Sequence, residues 1–254
     1  MKVEVHPSPA AAGRAAAQAA ALAIKALAQA RESVAVIFAT GASQFETLAA
    51  LTGMDGLPWH RVRGFHMDEY VGLPPQHPAS FRGYLRQRLT GKVQMSEFFE
   101  IDGTTPDPEH TARDYAEKLR ASDPQLCLLG IGENGHVAFN DPGVANFEDP
   151  LDAKIVTLDG ECRQQQFAEG WFPSIDAVPA SAITLTIPAL MRVPKLIASV
   201  PGIRKAAIVR RALTEPISTA CPATILRTHP DVTLFLDPES ASSIRDYVER
   251  EATT

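Results

Sequence analysis

The stretch Leu126-Cys127-Leu128-Leu129-Gly130-Ile131-Gly132-Glu133-Asn134-Gly135-His136 sets the terms on which the whole chain is read. Residues 126–131 are apolar or small without a break. A run of that length with no polar face reads as a strand covered on both sides. The glycines behind it permit a tight turn, and a histidine follows at the rim. Runs of the same type recur in both directions, at 34–39, 62–67 and 98–101 before it and at 154–158, 182–187, 196–200, 223–226 and 232–236 after it. Between them, residues 44–51, 81–89, 109–120, 203–213 and 240–250 have helical spacing. Residues 10–30 form an alanine-rich helix with Leu22, Ile24 and Leu27 as its apolar stripe. Buried-type strands alternating with helices predict the α/β class: three layers, α/β/α, around a mostly parallel sheet.

Composition narrows the function classes. The chain has 254 residues, 45% hydrophobic and 21% charged, which is ordinary for a globular protein and wrong for a disordered one. Its net charge of −6 argues against a general nucleic-acid binder. Cys127, Cys162 and Cys221 show no CxxC or metal-type spacing and read as reduced thiols of a cytoplasmic protein. Residues 1–7 lack the build of a signal peptide. The alanine-rich helix is broken by Arg14, Gln18, Lys25 and Gln29, so no membrane partner is expected. Residues 1–254 read as one domain, with a proline- and acid-rich lid within 141–180.

In open parallel sheets, ligands sit beyond the carboxyl ends of the strands, and three strand ends carry candidate chemistry. After the first buried run comes Thr40-Gly41-Ala42-Ser43-Gln44. Its small residues admit a close ligand and the following helix offers free N–H groups, which suits a phosphate; an ordinary helix cap is the alternative. No P-loop or dinucleotide pattern is present. After the second run, Asp68 and Glu69 stand side by side. Burial raises a carboxyl pKa and makes a proton shuttle; a salt-bridged acid at the sheet rim explains the pair equally well. After the 126–131 run, His136 follows a glycine turn beside Asn134 and Asp141. His66 and His77 match no metal-ligand spacing, and no metal is expected.

The string Met67-Asp68-Glu69-Tyr70-Val71-Gly72-Leu73, with the following His77-Pro78-Ala79-Ser80-Phe81, resembles a signature of the glucosamine-6-phosphate deaminases. Gly130-Ile131-Gly132-Glu133-Asn134-Gly135-His136-Val137-Ala138-Phe139-Asn140-Asp141-Pro142 resembles a second. The Thr40–Ser43 loop looks like a variant of that family's phosphate loop, and residues 178–184 and 202–206 keep the family's order. The resemblance implies a Rossmann-like fold of the ribose-5-phosphate isomerase/CoA-transferase type and a cofactor-free reaction: glucosamine 6-phosphate and water give fructose 6-phosphate and ammonia. It also implies roles. Asp68 would move the proton from C2 to C1, His136 would open the sugar ring, and Asp141 and Asn134 would orient that histidine. Thr40, Gly41, Ala42, Ser43, Glu69, Gly130 and Lys205 would hold the substrate and its phosphate. The partner is then a small sugar phosphate, with homo-oligomerisation left open.

Departures from the family pattern mark the points to check. Asn134 stands where members often have aspartate, and Thr186 where they usually have glycine. The family's phosphate-binding arginine falls at about Ala168, with Arg163 as a candidate replacement. Two rival readings are a 6-phosphogluconolactonase-type hydrolase and a sugar-phosphate sensor without turnover. The continuation Val137-Ala138-Phe139-Asn140-Asp141-Pro142 disfavours the first, and the retained Asp68 and His136 disfavour the second.

Overall fold

The computed structural model describes residues 1–168, 170–244 and 246–247. A seven-stranded parallel sheet runs in the order β1 (Lys2–Val5), β10 (Val232–Leu236), β9 (Lys195–Ser199), β6 (Leu126–Leu129), β2 (Val34–Phe38), β3 (Val62–His66), β5 (Glu97–Phe99). The central strands alternate between two cores as the pleat demands. Val34, Val36 and Phe38 of β2 face the layer of α1 (Pro9–Ala30) and α2 (Phe45–Thr52). Ala35 and Ile37 face the layer that holds α4 (Pro108–Ser122) and α7 (Ala206–Thr214). This is the expected α/β/α sandwich.

A second sheet, not anticipated from the sequence, is antiparallel and ordered β4 (Asp68–Tyr70), β8 (Ser181–Leu185), β7 (Ala153–Thr157). Only Met67 separates β3 from β4, so the chain passes from one sheet to the other at the expected strand end. Asp68 lies opposite Thr184, which also accepts a hydrogen bond from Phe139 N at 3.1 Å. The small sheet shares a core with the large one through Ala153, Ile183 and Leu185.

Two expectations are corrected. The apolar run at 223–226 is not a strand but part of a 3₁₀ turn, Pro222–Thr228. Thr224 Oγ1 bonds locally, accepting from Ser218 N at 3.0 Å and donating to Cys221 O at 2.7 Å, and β10 already has β9 and β1 on its two sides. In α1, Leu22 is 70% exposed; the packed stripe is made of alanines around Ile24, and Ser8 caps the helix. Of the helix expected at 240–250, residues 240–243 form turns, and 245 and 248–250 lie outside the described residues.

Candidate active site

The carboxyl ends of β2, β3, β6 and β9 surround a cavity of about 420 Å³. Two loops close one end of it. Gly41 follows β2 with φ 86° and ψ 172°; Gly202 follows β9 with φ 94° and ψ 154°. Side chains with a Cβ avoid that conformation, so glycine is required at both. Each glycine opens a 3₁₀ turn (Ala42–Gln44 and Ile203–Lys205) that runs directly into a helix, α2 and α7. Buried Gln44 ties three strand ends together: it follows β2, and its Nε2 donates to Leu129 O at 3.2 Å and Ser199 O at 3.5 Å. Tyr84 Oη donates to Gly41 O at 3.0 Å, and Asp237 accepts from Gly202 N at 2.9 Å. Of the residues expected to hold substrate, Thr40, Gly41, Ala42, Ser43, Gly130 and Lys205 line the cavity.

The adjacent acids part company. Asp68 faces the cavity and is 7% exposed. Burial, with the charges of Glu69 and Asp141 nearby, pushes its carboxyl well above the usual carboxylate range. Glu69 does not line the cavity, against the expectation that it contacts substrate. Its oxygens accept from Tyr70 N (3.0 Å), Ser80 Oγ (2.9 Å), Phe81 N (3.2 Å) and Arg82 N (2.9 Å), and the Arg82 guanidinium lies 3.5 Å away. It holds the start of α3 (Phe81–Leu85). Burial raises its pKa against those donors.

His136 lines the cavity, its ring laid against Gly132, where a Cβ would come within 2.2 Å of the ring. Its Nδ1 lies 2.8 Å from Asp141 Oδ1. Asn134 braces both: its Nδ2 donates to Asp141 Oδ1 at 2.9 Å, and its Oδ1 accepts from His136 N at 3.0 Å. Burial would raise Asp141, but contacts with His136, Asn134 and Cys162 hold its carboxyl below the usual range. Asn134 and Asp141 lie behind the histidine and do not line the cavity themselves. Among the described residues one set of metal-type donors converges, His136, Asp141 and Cys162, within 4.8 Å of one another. Burial pushes the Cys162 thiol up, which opposes the thiolate that a metal would need.

The other flagged residues have structural posts. Buried His66 accepts from Ile101 N at 2.7 Å, and burial drives its pKa down to about 3. His77 stacks on Phe172. Thr186 caps α6 (Ile187–Met191) and donates to Leu151 O at 2.7 Å. Arg163, on α5 (Gly160–Ala168), donates to Ile175 O at 2.8 Å and does not line the cavity; α5 presents Gln165 and Gln166 to it instead. Sequence reasoning missed Tyr84, Arg204, Trp171 and Asp237. Two had a legible signal: Arg204 stands beside Lys205 in the 202–206 segment, and Asp237 is an acid immediately after the 232–236 strand.

A rim that carries Arg204 and Lys205, with Glu239 also on it, beside a buried, protonatable carboxylate and a carboxylate-held histidine suits proton transfers on an anionic substrate. The fold and the site together define an α/β enzyme of acid–base chemistry. A model of the family described as glucosamine-6-phosphate isomerases/6-phosphogluconolactonase matches residues 7–235, and the chain belongs to that family. A glucosamine-6-phosphate deaminase of Exiguobacterium sibiricum is 36% identical over 198 residues, 77% of this chain and 76% of that relative. One from a Geobacillus species is 34% identical over 214 residues, 82% and 83% of the two chains. The solved structure of a monomeric glucosamine-6-phosphate deaminase aligns with TM-score 0.88 at 31% identity, covering 96% of this chain and 100% of that one. A Trypanosoma brucei 6-phosphogluconolactonase aligns with TM-score 0.77 at 21% identity and shares the fold. Among the described residues, no helix is long and apolar enough to cross a membrane.

Proposed function

We propose that the protein converts glucosamine 6-phosphate and water to fructose 6-phosphate and ammonia. The observation that carries this reading is Asp68: a carboxyl in the cavity wall whose burial raises its proton affinity. That suits a base that must take a proton from carbon and then return it. The phosphate lies at the glycine-loop end, against the free N–H groups after Gly41 and Gly202 and the Lys205 ammonium. His136, held by Asp141, moves a proton between the ring oxygen and the anomeric hydroxyl, which opens the ring. Asp68 then removes the C2 proton from the open-chain aldehyde, and the electron pair passes through an enol to the aldehyde oxygen, which gains a proton. Asp68 returns its proton to C1, leaving an imine at C2. Water adds to that carbon, and ammonia departs. C1 is reduced and C2 oxidised within the substrate itself, so no step calls for an external oxidant or reductant.

We further propose that residues 1–254 act as a single domain in the cytoplasm. The three unpaired, buried cysteines suit a reducing compartment. Incubation with glucosamine 6-phosphate should release ammonia and fructose 6-phosphate in equal amounts. No ammonia above the blank overturns the reading.

A further inference from the structure

We propose that Arg204 is a second cation for the substrate phosphate, held in reserve by Glu133 until the phosphate arrives. The inference rests on the function proposed above, and it extends it to a residue that the motifs do not single out. A phosphate monoester carries a charge of about −1.5 to −2 near pH 7. Among the described residues, only two Lys or Arg side chains line the cavity, Arg204 and Lys205, and both stand on the turn opened by Gly202. The lid side supplies no such charge: position 168 is alanine, and Arg163 is committed to Ile175 O.

Arg204 is occupied by Glu133, with Nε 3.3 Å from Oε1. The pair lies at the cavity mouth, the arginine side chain 56% exposed and the glutamate 34% exposed. Glu133 Oε1 is itself shielded from water but makes no hydrogen bond to the guanidinium, so a single charge contact holds Arg204, whereas a guanidinium binds phosphate through two parallel hydrogen bonds. An arriving phosphate therefore competes well for Arg204. The turn itself need not move, since Asp237 fixes Gly202 N. Only the long arginine side chain has to swing.

Glu133 is also placed to matter once released. Its backbone N–H donates to Gln165 Oε1 of the lid helix at 3.3 Å, and it precedes Asn134, the brace of the His136–Asp141 pair. The exchange thus takes place where the phosphate turn, the lid helix and the histidine turn meet.

Calorimetric titration tests this with inorganic phosphate and with fructose 6-phosphate, on the wild-type protein and on Arg204→Gln, Glu133→Gln, the double variant and Lys205→Gln. Arg204→Gln should weaken both ligands about tenfold, the size of one charge-assisted hydrogen bond. Glu133→Gln should tighten both, and that gain should shrink several-fold when Arg204 is also replaced. Unchanged affinity in Arg204→Gln, while Lys205→Gln weakens binding, overturns the inference alone. An equal gain from Glu133→Gln with and without Arg204 also overturns it. A wild-type protein that binds neither ligand overturns the functional reading as well.

Discussion

The two ends of the cavity handle charge in opposite ways. At the end proposed for the phosphate, the backbone is the main feature: Gly41 and Gly202 adopt nearly the same conformation and open two short turns that both line the cavity. Its cations, Arg204 and Lys205, stand on an exposed rim turn. At the proton-transfer end, the groups are carboxylates buried in the seam between the two sheets, and their neighbours set their charge state. Backbone dipoles and rim cations attract an anion with little desolvation. A base for carbon acids must be desolvated, and the protein then carries a destabilising buried acid at Asp68.

The sharpest way to break this contrast is Asp68→Asn. Turnover should fall by roughly 10²–10⁴-fold, the usual worth of a positioned general base, while fructose 6-phosphate still binds. A loss under tenfold would remove Asp68 from its role. The proposed role as a base requires Asp68 to be ionised. Activity should therefore fall on acidification around a pKa above the ordinary aspartate value, because burial and the charges of Glu69 and Asp141 favour the protonated form.

Glu69→Gln probes the neighbour that looks alike in sequence but serves as a support. The amide would set donors against two of the four donors that Glu69 now satisfies and would weaken its pairing with Arg82. About 3–5 kcal/mol of stability should be lost, read from the denaturant midpoint. The acid limb of activity should also move to lower pH, since one charge that raises Asp68 is gone. A loss below about 1 kcal/mol would mean that the site tolerates an uncharged group, contrary to the buried-charge argument.

Gly202→Ala should have the smallest effect and should act at the other end. No atom lies within 4 Å of an added Cβ, so backbone strain is the whole cost, about 1–3 kcal/mol. KM for the sugar phosphate should rise several-fold with kcat nearly unchanged. A change confined to kcat would show that this turn serves the proton-transfer end instead.

Much of this arrangement was legible in the chain. Runs such as 34–39 and 126–131 read as buried strands, and β2 and β6 lie within them, whereas the similar run at 223–226 is a 3₁₀ turn. The limits are equally specific. Asp68 and Glu69 are neighbours on β4, so one must face away from the other, and alternation alone does not say which side is the cavity. The small antiparallel sheet settles that, because β8 pairs with β4 and leaves Glu69 to the start of α3. Position 168 is alanine, and the pairing of Arg204 with Glu133 at the cavity was not legible because the two are far apart in sequence.

Local chemistry decided the strands, the glycine turns and the identity of the reactive groups, since period, backbone freedom and side-chain type are properties of neighbouring residues. The state of those groups belongs to the folded molecule. Asp68 gains its proton affinity from burial beside Glu69, its neighbour on β4, and Asp141, which the loop after β6 brings close, and Asp141 is held below the usual carboxylate range by a histidine and an asparagine. Desolvation and long-range charge depend on what surrounds a group in space, and no stretch of sequence carries that information alone.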